Sequence, residues 1–169
     1  VISGGCMTYT VKKQGYPWFE TSRNGASDGC GVHMHFNPAK AEVVQIRMKF
    51  NNIQLVDKKA EPTMDVYFGN IESDKIADEP VQYLKSIPLY SAKVLTDGKW
   101  FTYTIELGDL LKNVPRVTGM RIRLMNIYNP DDQGSVSFDY IYVGPRLSSA
   151  REAYHRDEEY TYGYDSTYT

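Results

Sequence analysis

Three groups of residues in this 169-residue chain have types and spacings that could do chemistry. The first is His33 and His35, which flank Met34. Residues two apart on a strand point to one face, so the pair could offer two imidazoles to one metal ion. A metal enzyme built on such a pair needs a Glu close behind and a third His further on. The next acid is Glu42 and the remaining His is His155, near the end of the chain, so two structural histidines are the better reading. The second group is Gln45, Arg47, Lys49, Asp65, Tyr67, Arg121 and Arg123, at alternate positions of three candidate strands. If those strands are neighbours, the seven side chains share one sheet face. Planar donors and acceptors beside a ring suit a sugar, whose hydroxyls need hydrogen bonds and whose apolar face needs an aromatic. An ordinary solvated face with cross-strand ion pairs uses the same residue types. The third group is Tyr16, Trp18 and Phe19, followed by the SRNGASDG loop of residues 22–29. Aromatics beside a Gly/Ser/Asn loop fit a binding cleft at the end of a domain; equally, Trp18 fits a lid on the core.

No nucleophile elbow, HExxH, P-loop or dinucleotide fingerprint occurs, and nothing points to a catalytic carboxylate pair. The chain therefore reads as a non-enzyme. Its net charge is −2 with 24% charged residues, a balance that gives no reason to expect nucleic acid as a partner. No apolar run is long enough for a membrane span. A start at Val1 with no apolar leader fits a processed protein or a module cut from a longer chain. Cys6 and Cys30 form no CxxC pair, which excludes a zinc ribbon. They read either as one disulfide, which would imply an oxidising compartment, or as two thiols.

The elements that must position these groups are short strands. Ser135–Pro145 is the strongest, with Val136, Phe138, Tyr140 and Tyr142 on one parity and Gly144-Pro145 as its stop. A strand this apolar belongs inside a sheet. Period-two alternation also marks residues 6–12, 32–36, 43–50, 63–68, 100–107 and 118–126. Residues 69–88 read as a long charged loop, residues 87–94 as a short strand, and residues 108–112 as a single helical turn. Seven to nine short strands with no useful helix predict an all-β fold, an antiparallel β-sandwich of about eight strands.

After Pro145 the composition changes. Residues 148–159 are polar and charged, and the last ten residues hold Tyr160, Tyr162, Tyr164 and Tyr168 with no aliphatic side chain. The alternation of the first three predicts an added strand. We divide the chain into a sandwich over residues 1–145 and a polar linker with a Tyr-rich tail over residues 146–169.

Three stretches carry a resemblance to a known family. They are residues 38–50, with the core Ile46-Arg47-Met48-Lys49; residues 97–107, reading DGKWFTYTIEL; and Gly119-Met-Arg-Ile-Arg-Leu followed by residues 137–144, SFDYIYVG. In this order they resemble the galactose-binding-like jelly rolls that serve as carbohydrate-binding modules of bacterial secreted and cell-surface proteins. The resemblance spans most of residues 6–144 and implies a jelly-roll sandwich and a non-catalytic role in targeting or adhesion, with a polysaccharide or glycan as partner. It also implies that Asp139 could join a structural calcium site with Glu20, Asn24 and Asp28; the residues alone favour an ion pair from Asp139 to Arg121 or Arg123. The alternative function is a structural subunit of an extracellular filament or surface layer, self-associating through Tyr160, Tyr162, Tyr164 and Tyr168, because added strands bond to a neighbour's sheet edge.

Overall fold

A computed structural model describes residues 2–3, 6–11, 18–20, 36–69, 82–88, 96, 98–114, 117, 119–129, 134–146 and 158–162. His33, His35, His155, Tyr16, Asn24, Asp28, Cys30, Tyr164 and Tyr168 lie outside the described residues. The described residues form an all-β fold of twelve strands, more than the sequence suggested because several are only two or three residues long. They are β1 (Ile2–Ser3), β2 (Cys6–Thr10), β3 (Trp18–Glu20), β4 (Val43–Asn51), β5 (Gln54–Leu55), β6 (Thr63–Gly69), β7 (Gln82–Pro88), β8 (Trp100–Glu106), β9 (Gly119–Met125), β10 (Ile127–Tyr128), β11 (Ser135–Gly144) and β12 (Glu158–Tyr162).

Two main sheets result. Sheet A has the order β1-β2-β11-β4-β8-β12, sheet B the order β3-β9-β6-β7, and β10 pairs with β5 in a small third ribbon. Every pairing is antiparallel except that of β12, which runs parallel to β8. The alternation read from sequence becomes the core. Val44, Ile46, Met48 and Phe50 of β4 and Phe101, Tyr103 and Ile105 of β8 face Met64, Val66 and Phe68 of β6 and Met120, Ile122 and Leu124 of β9 in one buried cluster. Each such side chain taken from water contributes about 1.5–3 kcal/mol. Phe19 of sheet B stacks across the interior, its ring centroid 4.8 Å from Tyr9 and 5.0 Å from Phe138, both of sheet A.

As expected, β11 lies inside sheet A, between β2 and β4. Its single parity does not hold. The register against β4 shifts between Phe138 and Tyr140, so Val136 and Phe138 face the core, as do Val143 and, partly buried, Ile141. Asp139 is the extra residue of this bulge, and Tyr140 and Tyr142 are only half-buried. A bulge puts two residues opposite one and reverses the faces beyond it.

Two asparagines outside the strands fix the turns around them. Asn129 is fully buried. Its Nδ2 donates to the carbonyls of Val11 and Gly134, and its Oδ1 accepts from Gly134 N at 2.8 Å. Asn126, in the left-handed region at φ 61°, accepts from Asp57 N and donates to the carbonyls of Asp57 and Ala60; Asn is among the few side chains that adopt this backbone readily. The region read as a loop before Pro88 contains β7; of the short strand expected over 87–94, residues 89–94 lie outside the described residues. The turn expected at 108–112 is present, with Leu110 N donating to Leu107 O and Lys112 N to Asp109 O.

Candidate functional site

The seven residues read as one polar face divide between two sheets. Gln45, Arg47 and Lys49 are on β4 of sheet A; Asp65 and Tyr67 are on β6 and Arg121 and Arg123 on β9, both in sheet B. Alternation assigns parity within a strand but says nothing about which sheet the strand joins.

On sheet A the group is largely satisfied by its neighbours. Arg47 Nη1 donates to Asp139 Oδ2 at 2.6 Å, with both side chains mostly shielded. The guanidinium of Arg47 sits 4.7 Å from the Trp100 ring centroid and the Lys49 ammonium 4.9 Å from it, so two cations lie over one ring. Gln45 is buried, and its Nε2 donates to Thr104 Oγ1 at 3.3 Å. The hydroxyls of Thr8 and Ser137 bond each other at 2.9 Å, and Asn51 Nδ2 donates to Ser135 Oγ at 3.2 Å. Thus Asp139 does form an ion pair, but with Arg47 of the adjacent strand. Arg121 and Arg123 are in the other sheet and do not take that role.

That pairing bears on the calcium set. Glu20 is in β3 of sheet B and Asp139 is in β11 of sheet A, while Asn24 and Asp28 lie outside the described residues. Among the described residues no group of three His, Cys, Asp or Glu side chains could hold a metal ion. Cys6 opens β2 and is half-buried; the pairing with Cys30 falls outside the described residues.

Sheet B gathers the rest. Backbone register places Trp18 opposite Arg123, Arg123 opposite Asp65, and Asp65 opposite Ser86, in one row across four strands. The next row reads Glu20, Arg121, Tyr67 and Tyr83. Odd positions of β6 and β9 point away from the core that Met64, Val66, Ile122 and Leu124 fill. Tyr67, Arg121 and Arg123 are half-buried on that outer face. Asp65 is 91% buried (9% exposed), and its Oδ1 has no hydrogen-bond partner among the described residues. A buried carboxylate oxygen without a donor costs about 1–3 kcal/mol. Sequence reasoning singled out Trp18, Asp65, Tyr67, Arg121 and Arg123, and the structure brings all five positions into these two rows. It missed Tyr83, because β7 was read as loop, and Trp100, whose place beside Arg47 and Lys49 follows only from the β4–β8 register.

The tail is also placed. β12 carries Tyr160 and Tyr162 and adds to β8 of its own chain, with Glu158 opposite Phe101 and Tyr162 opposite Ile105. Comparison with protein families, curated proteins and solved structures gave no match for this chain. Among the described residues no helix is long and apolar enough to cross a membrane.

Proposed function

We propose that this chain is a non-catalytic carbohydrate-binding module of an extracellular or cell-surface protein, and that it takes a glycan on the outer face of sheet B. The observation that carries this reading is Asp65, a buried carboxylate with an oxygen left without a donor, between Tyr67 and the two arginines Arg121 and Arg123. Sugar hydroxyls donate to the accessible part of the Asp65 carboxyl, the guanidinium groups donate to further hydroxyl oxygens, and the Tyr67 ring offers a surface for the apolar face of a pyranose. Two arginines, Asp65 and, by register, Glu20 make the rows close to neutral, which suits an uncharged sugar better than an acidic one. The resemblance of residues 38–50, 97–107, 119–124 and 137–144 to galactose-binding-like jelly rolls supports the same reading and extends it to targeting or adhesion.

The test is affinity electrophoresis in gels containing soluble neutral polysaccharides, together with a glycan array. The chain is expected to be retarded by at least one glycan, and Tyr67→Ala to lose that retardation with its fold intact by circular dichroism. Absence of any glycan signal, or retardation that Tyr67→Ala leaves unchanged, overturns the proposal.

A further inference from the structure

Sheet A ends on a borrowed edge. β8 pairs with β4 on one side, and its other side carries β12, which returns from the chain terminus. Without β12, the main-chain groups along residues 101–105 would form an open strand edge, and an open edge is a template for any strand that fits it. We propose that the β8 edge is an exchangeable strand-acceptor site, and that its partner is the acidic, tyrosine-alternating tail strand of a second copy of this chain.

Three observations carry the proposal. The first is the mode of attachment. β12 adds by main-chain pairing over five residues, the same bonds that any added strand makes. The second is charge. The tail strand begins Glu158-Glu159, in register with Phe101 and Thr102. At that end of β8, Lys99 is exposed, Trp100 carries Arg47 and Lys49 on its ring, and Thr102 is opposite Arg47. Among the described residues, Arg47, Lys49 and Lys99 gather near this end of β8 beside Asp139, and cations here favour an acidic strand at this edge. The third is reach. β11 and β12 run parallel, so the chain must return from the Gly144 end of the sheet to the Trp100 end before entering β12. That gap is roughly 20 Å, from strand rise and strand spacing. Residues 147–157 can span about 40 Å when extended, enough to enter the chain's own edge or a neighbour's. Each copy holds one donor and one acceptor, so exchange breaks and re-forms the same bonds. Effective concentration then decides: a tether of this kind supplies millimolar local strand, so the tail stays at home in dilute solution. A tether too short to close forces exchange.

The test uses the full chain and a variant lacking residues 149–155, whose remaining connection reaches only about 17 Å. By light scattering at micromolar concentration, the full chain is expected to be a monomer and the shortened chain a dimer or longer. Adding Tyr160→Pro to the shortened chain, which removes a main-chain donor that faces β8 between Thr102 and Thr104, is expected to return it to monomer. A second arm does not depend on the shortened chain folding. A labelled peptide of residues 156–163 is added to full-length Tyr160→Pro and, separately, to the intact chain. Binding to the variant at least tenfold tighter than to the intact chain is expected. A shortened chain that stays monomeric, an assembly that Tyr160→Pro leaves intact, or a peptide that fails to bind the variant overturns the proposal. The site is in sheet A and the glycan face in sheet B, so neither outcome depends on sugar binding.

Discussion

Replacing Asp65 by Thr separates a ligand-binding carboxylate from a structural one, because the two roles predict opposite signs. In the free protein Asp65 is 9% exposed, and its Oδ1 has no partner among the described residues. Removing a buried oxygen in that condition recovers about 1–3 kcal/mol. Against this stands the loss of an opposite charge across the strand from Arg123, which is about 0.2–1 kcal/mol for a cross-strand pair. Thr is β-branched and suits the strand, so no propensity loss is added. The relief outweighs the loss, and the variant is expected to be more stable by about 1 kcal/mol, raising Tm by about 2–4 °C for a chain of this size. Binding moves the other way. A hydrogen bond from a sugar hydroxyl to a charged acceptor is about 1.5–3 kcal/mol, so glycan affinity is expected to fall by roughly 10- to 150-fold. Denaturant unfolding followed by tryptophan fluorescence measures the first effect, and affinity electrophoresis the second. A variant destabilised by 1 kcal/mol or more, with glycan binding unchanged, would show that Asp65 serves the sheet alone and would refute the reasoning.

Two further predictions concern Asn129 and the Asp139–Arg47 pair. Asn129→Ala strips Gly134 N–H and the Val11 carbonyl of a partner, whereas the Gly134 carbonyl keeps its bond from Val11 N; two buried orphans cost about 2–4 kcal/mol, read as a Tm lower by roughly 5–15 °C. Asn129→Asp places a second oxygen against two carbonyl oxygens, so it should be no better than Ala, and an Asp variant within 0.5 kcal/mol of the parent would contradict the assigned bonds. The Asp139 carboxylate is engaged by Arg47, so chelator or added calcium is expected to leave Tm unchanged within about 1 °C, while Asp139→Ala lowers stability by about 1–2 kcal/mol, more in low salt than in high. A chelator shift above about 3 °C would place calcium at Asp139 instead.

The strands that build the core were legible because their burial is one-sided. β4, β6, β8 and β9 alternate between apolar and polar residues, and their limits fall within about two residues of the pattern. What alternation could not supply was the pairing. Arg47 and Arg123 look alike in sequence, each an arginine between apolar residues, yet one closes on Asp139 and the other is opposite Asp65 in the second sheet. Only non-local register separates them, and register depends on connections with weak patterns of their own. β7 shows the same limit, since its sequence QYLKSIP alternates poorly and the bulge between Val66 and Tyr67 breaks its match to β6. The bulge at Asp139 had a signal that was read for chemistry instead of geometry. An acid amid an apolar strand can be a ligand, but it can also be the extra residue that turns Tyr140 and Tyr142 outward and Ile141 and Val143 inward. The two buried or half-buried acids in interior strands therefore have different meanings, and partner geometry decides between them. Asp139 is spent on Arg47, which makes its face part of the scaffold. Asp65 keeps a buried oxygen without a donor among the described residues, so its carboxyl is not accounted for by the fold in the way that Asp139 is, and the paired measurements on Asp65→Thr decide what it serves.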